Sequence, residues 1–299
     1  MIDFVGKKQW FFLISAIAII VAVISLAVFK LQPGTDFAGG TSTTLHFTPQ
    51  VEQGQLRQEF TNLGHAEAII QKSGDDFFVR LKEISPQETE ALTKSLETRL
   101  GGVVTVRDYN TVSPYIATET ARNAGIAVII AAVAMLFYIV WAFRRMPKPF
   151  RWGTCAIVAL IYNVLIVVGI FSILGQVANV EIDAMFITGV LAVVGYSINN
   201  TVVVFDRIRE NMSKGISPDF AVTVNSSIIE TLGRSLNTSL TTLYVILALF
   251  LFGGATIHHF ILVLLIGLLA GTYSSLFIAG PLLVVWEKGE WGRLLPFAK

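Results

Sequence analysis

Gly195–Asn211 reads GYSINNTVVVFDRIREN, and its two halves have opposite chemistry. The first half ends an apolar run that begins near Ala184, yet it carries Ser197, Asn199, Asn200 and Thr201. The second half is charged through Asp206, Arg207, Arg209 and Glu210. Hydrocarbon offers a polar side chain no partner, so the four polar residues are expected to turn into a helix bundle. The charged end is expected at the membrane surface. The stretch therefore predicts a membrane-spanning helix with a functional seam and a charged handle.

Composition agrees. Mean hydropathy is +0.66. Of the 299 residues, 54% are apolar and 14% charged, too greasy for an ordinary soluble chain. The net charge of +1 predicts no nucleic-acid partner. The single cysteine, Cys155, excludes an internal disulfide and reads as a small membrane-helix residue.

Working outward, Lys7 and Lys8 precede an apolar run, Trp10–Phe29. At 1.5 Å per residue it covers a hydrocarbon core of roughly 30 Å. No small-residue cleavage site follows, so residues 1–31 are expected to hold an uncleaved first span. Residues 32–120 then read as a soluble α+β domain. Thr43–Phe47 is a strand and Val51–Leu63 a surface helix. Ala68–Gln71 and Asp76–Leu81 form a hairpin over Ser73-Gly74-Asp75. Ser85-Pro86 with Glu88 starts a helix that ends at Gly101-Gly102, and Val103–Tyr109 is a last strand. The order β-α-β-β-α-β predicts a ferredoxin-like fold.

Residues 121–287 supply five further spans, near Ala124–Phe143, Thr154–Leu174, Ala184–Phe205, Leu236–Phe252 and Phe260–Trp286. Six in all are expected, with residues 288–299 as a tail. Arg144, Arg145, Lys148 and Arg151 lie between spans two and three. Arg207, Arg209, Lys214 and Arg234 lie between four and five, and Lys288, Arg293 and Lys299 follow six. The other short links hold no Lys or Arg, so both termini are expected in the cytoplasm and the α+β domain outside. Phe220, Val224, Ile228 and Leu232 recur every four residues, predicting an amphipathic interfacial helix over 218–233 that Gly233 breaks.

Four constellations are candidates for function. Asn163, Ser197, Asn199, Asn200 and Thr201, with Arg234, Thr241 and Thr242 opposite, could form an ion path or simply bond helices together. Gly34-Thr35-Asp36-Phe37-Ala38-Gly39-Gly40-Thr41 precedes a strand rather than a helix. It reads as a turn needing glycine backbone angles, with Asp36 bonding backbone amides, not as a phosphate cradle. His258-His259 has no nearby metal-ligating partner and reads as solvated loop. Gly267-x-x-x-Gly271, followed by Ser274 and Ser275, reads as close helix packing. No pattern supports hydrolysis, redox chemistry, a cofactor or a metal, so an enzyme is not expected.

GTDFAGGT (34–41), RRMPKPFR (144–151) with ALIYNVLIVVGIFSILG (159–175), GYSINNTVVVFDRIREN (195–211) and RSLNTSLTTL (234–243) together resemble the SecF family, in order and over essentially the whole chain. The resemblance implies a bacterial inner-membrane subunit of the resistance-nodulation-division superfamily that pairs with SecD. It also implies association with the SecYEG channel and with preproteins, SecA and YajC being further candidate partners, and proton-driven help with late steps of export. Gly34, Asp36, Gly39, Gly40, Asp206 and Arg207 are then motif positions, and Arg234 matches the family's arginine.

Two departures stand out. The family has Asp where this chain has Asn200, and often Asp where it has Asn163. Three readings stay open: an acid on SecD titrates opposite Arg234, another ion such as sodium is held by neutral oxygens, or the complex is a passive clamp. A small-molecule or lipid exporter half is the remaining alternative.

Overall fold

The computed structural model describes residues 3–254 and 257–293, so the expected tail over 288–299 lies outside the described residues from 294 onward. The chain divides into two units, Pro33–Gly125 and Met1–Gln32 with Ile126–Lys299.

The first unit is built as its turn chemistry dictates. After a one-turn helix, α2 (Thr35–Ala38), come β1 (Gly40–Thr48), α3 (Gln53–Asn62), β2 (Ile69–Ser73), β3 (Asp76–Leu81), α4 (Pro86–Leu100) and β4 (Val103–Val112). The strands form one antiparallel sheet in the order β2-β3-β1-β4. Alternation along β3 sends Phe77, Val79 and Leu81 to one face, where Leu56 and Phe60 of α3 and Leu92 and Leu96 of α4 close the core. Helix α4 starts on a full capping box: the Ser85 hydroxyl accepts from the Glu88 N–H, and the Glu88 carboxylate accepts from the Ser85 N–H at 2.7 Å. Gly101, left-handed at φ 70°, ends it.

Among the described residues, six helices are long and apolar enough to cross a membrane. They are α1 (Lys8–Phe29), α5 (Pro114–Ala142), α6 (Pro149–Ala178), α7 (Ala184–Lys214), α8 (Phe220–Phe252) and a last span of α9 (His258–Ser274), a π-turn (Ser275–Ala279) and α10 (Gly280–Lys288). The π-turn was not legible as such, but Pro281 explains it. Proline has no N–H to give the carbonyl four residues back, and its ring crowds that carbonyl, so the preceding turn widens. Helix α5 begins ten residues before the expected Ala124. Ser113-Pro114 is the same start signal as Ser85-Pro86, and the Ala117 N–H bonds the Ser113 carbonyl at 3.0 Å.

One expectation is overturned. There is no separate interfacial helix over 218–233: α8 runs unbroken through Gly233 for 33 residues. The Val224–Ile228 stripe is fully buried in the helical core, packing toward Gly280 rather than lying on a membrane interface. That burial outweighs the cost of one mid-helix glycine, about 1 kcal/mol.

Small residues set the helix spacing. A Cβ on Gly169 of α6 would lie 2.4 Å from that of Ala22 in α1. This closeness lets Ser25 donate to the Gly169 carbonyl at 3.0 Å, while Ser172 donates to the Ser25 carbonyl at 2.9 Å. Gly267 and Gly271 of α9 meet Val193 and Ser197 of α7, the close packing expected of that motif.

Candidate functional site

Helix α7 is the spine of the site. Asp183 caps it, accepting from the Phe186 N–H at 2.7 Å. Its 31 residues extend about 46 Å, more than a hydrocarbon core of about 30 Å, so part of it projects beyond the apolar layer.

Inside the bundle the polar residues form two separate pairs rather than one cluster. On one side of α7, Asn163 donates to the Ser197 hydroxyl at 2.5 Å, and Thr201 donates back to the Ser197 carbonyl at 3.1 Å. All three are buried, and Asn163 Oδ1 has no hydrogen-bond partner among the described residues. On the other side, Asn200 donates to Ser239 Oγ at 3.3 Å, and Ser239 and Thr272 lie 2.8 Å apart. Thr272 gives its proton to the Leu268 carbonyl at 2.8 Å, so Ser239 must donate to Thr272 and accept from Asn200. This directional chain commits the Asn200 amide nitrogen and turns its oxygen away. Ser239 and Thr272 also line a cavity of about 350 Å³ between α8 and α9 that is otherwise walled by leucines and aromatic rings.

The expected opposite wall is not there. Arg234 is exposed on α8, and its side chain has no ion pair among the described residues. Thr241 and Thr242 both spend their hydroxyls on the Thr238 carbonyl of their own helix. Asn199, expected to point inward, is exposed. It continues a surface stripe of small and polar residues, Thr188, Ala192, Gly195 and Asn199, and nothing lies within 4 Å of a Cβ built on Gly195.

At the far end of α7, Asp206 pairs with Arg209, and Arg207 pairs with Glu210 at 2.5 Å and with Glu230 of α8. Asn211, fully buried, donates to Ser227 at 2.9 Å and to Glu230 at 3.0 Å. The handle is thus a two-helix network. The sequence reading did not single out Thr272, Asn211 or Glu230 and gave Ser239 no role, although serine and threonine at four-residue spacing along α8 was a signal for Ser239.

Gly39 and Gly40 sit at φ 75° and 119°, and a Cβ on Gly40 would meet the Leu81 carbonyl at 2.5 Å. Gly34 is the extended residue that precedes α2, and Asp36 lies in its first turn. The histidines differ from the expected loop: His258 opens α9, and His259 lies 3.3 Å from the Asp183 carboxylate that caps α7.

Residues 92–289 match the family described as protein export membrane protein SecD/SecF, C-terminal, and residues 24–51 match the SecD/SecF GG motif. The chain is 41% identical to the protein translocase subunit SecF of Thermobaculum terrenum, over 98% of this chain and 96% of that one. It is 35% identical to the protein translocase subunit SecDF of Bacillus subtilis, over 96% of this chain but 38% of that one. The crystal structure of SecDF from Thermus, described as a translocon-associated membrane protein, superposes with a TM-score of 0.86 at 35% identity, over 96% of this chain and 39% of that one.

Proposed function

The chain belongs to the SecD/SecF family of protein-export membrane proteins, and from that premise we propose that it is the SecF half of a proton-driven pair acting late in secretion. A role in protein export and a multi-pass membrane place follow from the family itself. Its partner is SecD, which relatives such as the Bacillus subtilis protein carry in the same chain. SecYEG is the channel it serves, with SecA and YajC further partners, in the bacterial inner membrane. The lysine and arginine distribution supports cytoplasmic termini and an external α+β unit.

The observation that carries the coupling reading is Arg234. Residues 4–35, 120–180, 184–205 and 231–286 contain no Asp or Glu, and Glu230, one turn before Arg234 on α8, is held by Arg207 and Asn211, so among the described residues Arg234 has no carboxylate of its own. A guanidinium facing hydrocarbon costs about 2.5–3.5 kcal/mol even on the lenient scale. An acid on SecD removes that cost and supplies a group that titrates, which Asn163 and Asn200 cannot do. The exposed stripe of α7 and the exposed Arg234, Asn237, Thr238 and Thr241 of α8 form the surface that receives SecD.

Precursor translocation into vesicles carrying the chain with SecD tests this, with the proton gradient intact and then collapsed at constant sodium. The stimulated translocation is expected to vanish with the gradient, and in Arg234→Ala, while SecD still co-purifies. Stimulation that survives collapse overturns proton coupling. Omitting sodium then separates another ion from a passive clamp.

A further inference from the structure

Helix α8 carries Thr223, Ser227, Thr231, Ser235 and Ser239, a hydroxyl at every fourth position, and all five are buried. From first to last the stripe rises about 24 Å. Its upper end is Ser239, bonded to Asn200 and Thr272. At its lower end Ser227 accepts from Asn211, which also reaches the half-exposed Glu230. The stripe thus joins the mid-span pair to the charged network at the end of α7.

The members are not alike. Ser227 donates to the Thr223 carbonyl at 2.7 Å, and Thr231 donates to the Ser227 carbonyl at 2.8 Å, the ordinary way a helix absorbs a hydroxyl. Ser235 makes no such bond. It is 1% exposed, and its Oγ has no hydrogen-bond partner among the described residues. Asn211 Oδ1, fully buried at the lower end, is in the same position. Buried polar atoms are ordinarily satisfied, and where protein supplies no partner, water does. An alanine at either site would avoid the desolvation cost, whereas Val224 and Ile228 beside them are apolar, so this face tolerates nonpolar residues.

We propose that the inner face of α8 is a hydrated track within this chain, with water at Ser235 and Asn211 linking the Asn200 level to Glu230. Its cargo, protons leaving the SecD acid for the cytoplasm, rests on the coupling reading above; its hydration does not. Water fits better than a metal cation because the stripe above Glu230 offers neutral oxygens only, and a bare charge there would be uncompensated. In each step a water or hydroxyl accepts one proton and passes one on. The Glu230 carboxylate takes up the proton and releases it to solvent, while the two amides hold water in place without titrating.

The chain's only cysteine, Cys155, is buried, so a Cys155→Ala background assembled with SecD allows a clean test. Ser235→Cys is compared with Ser274→Cys, whose hydroxyl is buried but bonded to the Gly271 carbonyl at 3.2 Å. Both are exposed to a small cationic methanethiosulfonate and read by mass spectrometry of this chain. Thiolate forms only where water reaches, so Ser235→Cys should react at least about tenfold faster. Equal rates mean a dry stripe and overturn the proposal.

Ser235→Val, which removes the hydroxyl and fills its space, should slow gradient-driven proton uptake about tenfold with SecD pairing intact. Unchanged uptake in Ser235→Val overturns the proton route while leaving the coupling reading standing. No gradient-driven uptake in the parent complex overturns the coupling reading and the cargo, and fast labelling of Ser235→Cys would then still support the hydrated track.

Discussion

At the scale of single residues, what matters is whether each polar atom has somewhere to put its bond. Asn200 stands in a directional chain ending on the Leu268 carbonyl, so it is held in one orientation. An ionised aspartate at this position could only accept, which would reverse the chain. Glu88 illustrates the same logic in the α+β unit. The Ser85 backbone N–H, and then its hydroxyl, hold the Glu88 carboxyl below its ordinary 4.5. A carboxylate whose folded value is depressed contributes stability above its unfolded value and loses it as pH falls through the folded one. Glu88→Gln is therefore expected to be less stable than the parent near neutrality, with the gap closing below pH 4.5. Thermal unfolding across that range checks it, and a gap independent of pH would count against the capping box as its source.

At the scale of elements, contact is set by small residues at crossings rather than by burial of apolar area, because lipid is as apolar as leucine. Gly169 is the sharpest case: a Cβ there meets not a flexible side-chain tip but the Cα of Ala22, at 2.6 Å. Gly169→Leu is expected to force α1 and α6 apart and break the Ser25–Gly169 and Ser172–Ser25 bonds together. The loss should be on the order of 1–3 kcal/mol in a denaturant titration in detergent. A variant as stable as the parent would show that α1 is held elsewhere. Tyr273 is another tie to α1, donating to the Phe11 carbonyl at 2.9 Å.

At the scale of the whole molecule, the helical unit is unfinished on two faces. Helix α7 exposes Thr188, Ala192, Gly195 and Asn199, and α8 exposes Arg234, Asn237, Thr238 and Thr241. Polar side chains exposed to hydrocarbon are unfavourable, so these faces are expected to be covered by SecD. Gly195→Leu adds bulk where nothing in this chain lies within 4 Å, so it should leave the fold of the chain unchanged. It should nevertheless lower recovery of SecD in mild-detergent co-purification by about tenfold, as one lost helix crossing implies. Undiminished recovery would move the partner surface off α7.

By itself the sequence determined which apolar runs are long enough to span a membrane, the strand and helix order of its α+β unit, and positive-φ positions that favour glycine, such as Gly40 and Gly101. Those features are local: a run of apolar residues, a Ser-Pro start, a left-handed turn. It also placed polar residues in the spans, but not which of them meet. In a soluble helix the apolar face marks the inside; in a span, core and lipid are both apolar, so that periodicity is lost. Hence Asn199 and Asn200, adjacent in sequence, go to exposed and buried faces, and Arg234 looks away from the pair it was expected to complete. Only tertiary packing decided that Gly233 would stay helical and that Ser239 and Thr272, from two other helices, would hold Asn200. Bonds between residues 39 positions apart, like Asn200 to Ser239, exist only once the helices have packed.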